Sequence, residues 1–382
     1  MTRRSFLKAL SAGAVLGGAS AGGIWAFLRQ TKFGALPEGE ALRRILASPH
    51  YADGVFHNEL PTPILTDNSS FGVALVRSLV TKRVNPVPPG PLPSQRASLF
   101  SPDRAQDAVV WLGHSSFFIQ LAGQRMLIDP VFSPYAAPVS FSTRAFAGAT
   151  PYSPDDMPDI DCALISHDHW DHLDYPSMMA LKPKIRNILC GLGTGAHFQR
   201  WGFSGNVIHE ADWGDTFALG AGVRVHVTTA RHYSGRSLTR NKALWAGFLL
   251  ESPARRIFFS GDSGYGPHFA ELGKRFGPVD LALLDCGQYN EDWRFIHMTP
   301  EEAARAADDM EARHLLPAHI GKFALARHPW DEPFRRMASA SRNARFRLLT
   351  PIIGEMVNLT DPIPEYPRWW ESPALSFPQN PL

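Results

Sequence analysis

From Ala108 onward the apolar residues fall into short runs broken by glycine-containing turns. Ala108 to Leu112, Ser116 to Leu121 and Arg125 to Asp129 have the length and side-chain content of strands, and their close succession predicts a meander. Cys162-Ala163-Leu164-Ile165 is an uninterrupted apolar run and predicts a buried strand. Val223, Val225 and Val227 recur at period two, and Ala243 to Leu250, Arg256 to Ser260 and Leu315 to Ala318 extend the series of strands. Helices are interspersed. Thr299-Pro300-Glu301-Glu302 supplies a cap, a first-turn proline and a capping-box glutamate ahead of the alanine-rich Ala303 to Ala312. A further helix is expected near Glu332 to Ala344. The aromatic loop from Val131 to Pro158 is longer than a connector requires and predicts part of a substrate rim or lid.

Residues 30–104 have a different texture. Proline is densest in Asn85-Pro86-Val87-Pro88-Pro89-Gly90-Pro91-Leu92-Pro93, where missing amide protons and fixed backbone angles exclude helix. This predicts an arm wrapped over a surface rather than a separate domain. Ahead of it, Arg3 and Arg4 precede Ser5-Phe6-Leu7-Lys8 and an uncharged, Gly- and Ala-rich stretch from Ala9 to Leu28. This start resembles a twin-arginine export signal. It predicts that the folded protein passes through the twin-arginine export machinery to the periplasm or the periplasmic face of the inner membrane. The expected organisation is a signal or anchor over 1–29, the arm over 30–104, the main domain over 105–360 and a tail over 361–382.

Composition narrows the function classes. At 382 residues and 44% hydrophobic content, the chain can bury a large core in one main domain with extensions. A formal net charge of +2 without a long Lys/Arg block argues against a nucleic-acid partner. Cys162, Cys190 and Cys286 include no C-x-x-C pair, so they predict small core hydrophobes rather than a disulfide framework or thiolate zinc site.

The densest chemistry follows the Cys162 strand, in His167-Asp168-His169-Trp170-Asp171-His172. With 15 histidines in the chain, H-x-H-x-D-H arises by chance in roughly one such chain per thousand. A metal site is therefore the stronger reading. Imidazole nitrogen and carboxylate oxygen are ligands preferred by zinc and also serve manganese and iron. Further ligands are expected at later strand ends, where His232, Asp262 and His319 stand. Together they complete a set for two divalent metal ions. One takes His167, His169 and His232, the other Asp171, His172 and His319, and Asp262 bridges them with one oxygen on each. Two ligand carboxylates and a shared hydroxide offset the charge of two dications.

The chain resembles the metallo-β-lactamase fold superfamily and, within it, the N-acylphosphatidylethanolamine-hydrolysing phospholipase D family. The likeness spans roughly residues 109–357. It is carried by Trp111-Leu112-Gly113-His114-Ser115, Ile128-Asp129-Pro130, Ser166-His167 through Asp174-Tyr175, Ser260-Gly261-Asp262-Ser263-Gly264-Tyr265, His297-Met298-Thr299-Pro300 and His319-Ile320-Gly321-Lys322-Phe323. The resemblance implies an α+β fold, a four-layer αββα sandwich with zinc as the usual ion. It departs at the export leader and the arm.

Two metals would hold a shared water as hydroxide near neutral pH for attack on phosphorus, with Asp171 orienting it. His297 is the candidate to contact phosphate or protonate the leaving oxygen. Asp129 and His114 are expected to support ligands rather than bind metal. Trp170, Tyr233, Tyr265, Tyr289 and Trp293 are candidates for an apolar substrate wall. The function expected is a phospholipase D-type phosphodiesterase acting on N-acylphosphatidylethanolamine-like lipids or related small-molecule diesters, with contact to a membrane surface. The alternative is a lactonase or other ester hydrolase using the same metals. If the leader is cleaved at Ala19-Ser20-Ala21, N-terminal sequencing of the exported protein will find a start near Gly22, whereas intact Met1 in a membrane fraction would indicate a retained anchor.

Overall fold

Strands covered on both faces need apolar residues at every position, and the central runs satisfy this requirement. Val109, Trp111, Cys162 and Leu164 belong to one apolar cluster, while their alternating neighbours Val110, Leu112, Ala163 and Ile165 belong to another. The computed structural model describes residues 20–67, 83–100, 103–360 and 362–375, together with 72, 73, 77 and 81. Two seven-stranded sheets form the body. In spatial order the first is Met356–Asn358, Ala108–Trp111, Phe117–Leu121, Gln124–Ile128, Cys162–Ile165, Ile188–Gly191 and Ile208–Ala211. The second is Arg347–Leu348, His314–Ala318, Leu281–Asp285, Arg256–Phe259, Gly247–Glu251, Val223–Thr228 and Thr216–Gly220.

The sheets bury their facing sides against each other, with Phe117 edge-on to Phe259 at 6.0 Å between ring centres. Helices Tyr175–Leu181 and Gly195–Arg200 contribute Met178 and Phe198 to the cluster on the outer side of the first sheet. Helices His268–Phe276, Pro300–Asp309 and Glu332–Ala340 contribute Phe269, Ala303 and Phe334 to the larger cluster. This is the expected four-layer αββα sandwich. Parallel pairing of Gln124–Ile128 with Cys162–Ile165, and of Arg256–Phe259 with Leu281–Asp285 and His314–Ala318, directs several strand ends to one edge.

Several expectations are met closely. Cys162–Ile165 is a strand, and Thr299 and Glu302 form a reciprocal capping box on the helix that begins at Pro300. All three cysteines are free and buried. Other boundaries move. The run from Ala243 enters the ladder only at Gly247, because Leu244 and Ala246 donate their amides to Leu192 and Ser166 of the first half instead. The second C-terminal helix stops at Ala340 and gives way to a single turn of tighter helix over Ser341–Asn343.

The arm contains a short helix, Gly39–Leu46, and a hairpin of Tyr51–Ala52 with Val55–Phe56. The described part of the tail is packed rather than loose, with Trp369 and Trp370 buried 4.8 and 5.3 Å from the Phe334 ring. Arg3 and Arg4 lie outside the described residues. The helix Ser20–Leu28 has nine residues, and no helix among the described residues is long and apolar enough to cross a membrane.

Phe117 is fully buried between the sheets. Phe117→Ala is expected to lower stability by about 3–5 kcal/mol through lost burial and a residual cavity, read as a fall in the thermal or denaturant midpoint.

Candidate metal centre

A buried strand end is a rigid platform, and the loops leaving it carry the polar groups that the strand cannot. The turn after Ile165 delivers His167, His169, Asp171 and His172. The segment after Thr228 delivers His232, the turn after Phe259 delivers Asp262, and the end of His314–Ala318 delivers His319. The halves join at the site itself: His114 donates its backbone amide to Ile320, and His319 returns one to His114. Gly261 is required by its setting. Its φ is +59°, and a Cβ there would approach the Ala246 carbonyl oxygen to 2.6 Å.

Every side chain named as a metal ligand from the sequence arrives in this one place. His167 Nε2 lies 2.9 Å from His169 Nδ1, and His232 Nε2 lies 3.3 Å from the same atom. The Oδ2 atom of Asp262 stands 3.8 and 3.7 Å from the His167 and His232 nitrogens. On its other side are His172 Nε2 at 3.1 Å and His319 Nε2 at 3.3 Å. Asp171 Oδ2 closes that second group, 3.4 Å from His172 and 3.2 Å from His319. The sequence reading assigns one Asp262 oxygen to each ion. Here Oδ2 faces both groups, and Oδ1 is buried without a hydrogen-bond partner.

The donor set fits divalent metal on its own chemistry. His232 Nδ1 donates to the Ile296 carbonyl at 3.0 Å, so the neutral ring presents a lone pair at Nε2. Ser166 Oγ donates to Asp129 at 2.5 Å and can accept from His167 Nδ1 at 2.9 Å, leaving His167 Nε2 in the same state. Lone pairs converging at such distances inside a protein suit a cation held between them. His172 Nε2 and Asp262 Oδ1 are also buried without hydrogen-bond partners. Among the described residues three groups could hold an ion: His167, His169, His232 and Asp262; His114, Asp171, His172 and His319, with Asp262 Oδ2 beside the last two; and Asp262, Asp285, His297 and His319.

Burial holds the rings of His167, His169 and His232 below the usual imidazole range, in the neutral form a metal needs. The second group is different. Burial opposes charge on His319, but the Asp262 and Asp285 carboxylates overcome it and carry the ring up to about 10. Burial likewise opposes charge on His172, which Asp262 and Asp171 hold well above the ordinary value. Burial would raise the Asp262 carboxyl, yet the facing His172 and His319 rings keep it well below the carboxylate range. Protons on His172 and His319 therefore occupy the electrostatic place of a cation, and metal must displace them.

The supporting residues are in place. Asp129 is fully buried and accepts from His172 Nδ1 at 2.8 Å and from the Ser166 amide at 2.8 Å, contacts that fix the His172 ring. His114 donates from Nε2 to Asp171 Oδ2 at 2.9 Å, and burial carries it down to about 3, which keeps the ring neutral. His297 lines the cavity and donates from Nδ1 to Asp285 at 2.8 Å.

Asp285 was not identified from the sequence, although it ends a strand as Asp262 does. Its two oxygens face His297 Nδ1 and His319 Nδ1 at 2.8 and 3.3 Å. Asp168, inside the histidine cluster, braces the loop: it accepts from the Gly235 amide at 2.7 Å and lies 3.3 Å from His197 Nε2. The buried Arg236 guanidinium covers Trp170 at 3.9 Å and donates to the Asp168 and Leu173 carbonyls. A cavity of about 440 Å³ opens onto the site, lined by Trp170, Tyr233, Trp293, Ile296 and Arg240, by Ala136 of the long loop, and by Ile64 and Leu65 of the arm. Tyr265 and Tyr289 are elsewhere, bonded to Asp309 and Glu332.

The model of the Beta-lactamase superfamily domain matches residues 124–320, and the chain belongs to this superfamily. It is 37% identical over 327 residues to an uncharacterized protein of Mycobacterium tuberculosis, covering 85% of this chain and 87% of that protein. It is 31% identical over 227 residues to N-acyl-phosphatidylethanolamine-hydrolyzing phospholipase D 1 of Caenorhabditis elegans, covering 56% of this chain and 64% of the relative. Among solved structures, the isothiocyanate hydrolase from Delia radicum gut bacteria superposes with a TM-score of 0.53 at 20% identity, over 65% of this chain and 97% of that one. That likeness is one of fold. Family and donor set together define a metal-dependent hydrolase with the metallo-β-lactamase fold.

Because His172 and His319 must release protons, zinc affinity should rise with pH across the neutral range, with proton release measurable by calorimetry in buffers of different ionisation enthalpy. Unchanged affinity and no proton release would contradict it. Asp129→Ala should weaken metal binding about 10–100-fold by freeing the His172 ring, as measured by chelator competition.

Proposed function

We propose that the protein is a dinuclear metal-dependent phosphodiesterase of phospholipase D type, acting on N-acylphosphatidylethanolamine-like lipids or related diesters. The observation that carries the reading is the position of Asp262 Oδ2 between two donor groups at the floor of an apolar-walled cavity. Two divalent ions held there, with zinc the best match to nitrogen and carboxylate donors, would polarise a phosphoryl oxygen and lower the pKa of water between them. His167, His169 and His232 would hold one ion; Asp171, His172 and His319 the other; and Asp262 both.

The protein's own groups account for the rest of the task. His297 has Nδ1 committed to Asp285, so Nε2 is the atom available to substrate. A proton carried at that atom could pass to the departing alkoxide when the phosphorus–oxygen bond breaks. Trp170, Tyr233, Trp293, Ile296 and Leu325 offer apolar surface to a hydrocarbon portion, and the Arg240 guanidinium adds positive charge to the same lining. A lipid diester has both features. The 31% identity to a nematode protein named for this hydrolysis supports the substrate class. The twin-arginine-like start supports an envelope location, where phospholipid is at hand.

The test is a hydrolysis screen of the zinc-loaded protein against N-acylphosphatidylethanolamine, simple phosphodiesters, lactones and thioesters, with product identification. Release of N-acylethanolamine and phosphatidic acid is expected. Turnover confined to lactones or other carboxylic esters would replace the phosphodiesterase reading. His297→Ala is expected to lower kcat on the lipid by roughly 10²–10⁴ while the zinc content stays at the wild-type level.

A further inference from the structure

The family match begins at residue 124, yet part of the cavity wall comes from far upstream. We infer that residues 58–65 of the proline-rich arm are a working part of the active site. In this assignment Asn58 is a positioning residue for the metal ligand His232, and Ile64 and Leu65 select substrates with a long hydrocarbon chain. The inference rests on the dinuclear reading above.

Asn58 clamps the backbone of His232 from both sides. Its Nδ2 donates to the His232 carbonyl at 2.7 Å, and its Oδ1 accepts the His232 amide at 3.0 Å. The same Oδ1 accepts from Trp245 Nε1 at 3.0 Å, and that indole also donates to the Ala230 carbonyl at 2.9 Å. The ring of His232 is fixed separately through Nδ1 and the Ile296 carbonyl. Neither its main chain nor its ring is therefore left to the strand that precedes it, which ends at Thr228.

The next residues of the arm reinforce the grip. Arg231 donates from Nε to Thr62 Oγ1 at 2.9 Å and from Nη2 to the Pro61 carbonyl at 3.0 Å. Thr66 donates its amide to the Asp292 carbonyl at 2.8 Å, one residue before the cavity-lining Trp293. Ile64 and Leu65 are held between these anchors and face the cavity. A side-chain amide matched to one peptide unit of a ligand loop has the geometry of a support that sets where the imidazole stands.

The experiment uses the full chain and zinc alone as the probe. Asn58→Ala should raise the zinc Kd of one of the two ions at least tenfold in chelator competition, while the zinc-free melting temperature stays within a few degrees of wild type. A wild-type Kd, or a zinc-free melting temperature that falls without any loss in Kd, would overturn the positioning role. Asn58→Gln, which displaces the amide by one methylene, carries the same expectation should the alanine variant fail to fold. His232→Ala is the control for the underlying reading. If it too binds zinc normally, His232 is not a ligand and the dinuclear assignment fails; if it loses zinc and Asn58→Ala does not, only the present inference fails. For the wall, Ile64→Ala combined with Leu65→Ala should raise KM for a long-chain N-acyl diester at least fivefold more than for a short-chain one. Equal changes for both substrates would remove the selecting role.

Discussion

Negative charge and imidazole lone pairs converge around Asp262, and the architecture about them exists in a form that only a cation can balance. Asp262 and Asp171 are buried beside His172 and His319, in a medium where an unpaired charge is costly. Without metal, protons on two rings supply the balance. A bound metal would displace those protons, and burial already disfavours charge on the rings of the other group. Folding and metal loading are therefore linked through the same few atoms.

The two sheets make this convergence possible. Neither half holds a complete site: the first contributes the loop after Cys162–Ile165, and the second contributes Asp262 and His319. The reciprocal bonds between His114 and the His319–Ile320 segment join them at the place where chemistry occurs. The backbone at this seam is locally strained. His114, Asp129, Gln288 and His319 all have positive φ without being glycine, a backbone state tolerated where surrounding contacts enforce it.

Much of this was legible in the chain because strand ends announce themselves. Ile165, Phe259 and Ala318 each close an apolar run, and a member of the histidine–carboxylate cluster follows within a few residues of each. Asp285 was missed although it has the same signature, because its role requires knowing that His297 and His319 lie side by side. Ala243 to Ala246 looked like strand because their burial is that of a strand, while their amides bond across the seam. The arm was harder still. Proline content excluded helix over residues 85–93, but Asn58 and His232 are 174 residues apart, and periodicity carries no information on contacts of that span. Local pattern reports which face is apolar; it does not report what lies against it.

The central claim is that two ions share Asp262. Anomalous diffraction at the zinc edge from crystals of zinc-loaded protein tests it most directly. Two peaks are predicted, one among His167, His169 and His232 and one among Asp171, His172 and His319, with Asp262 between them. A single peak, or peaks placed away from Asp262, would contradict the account.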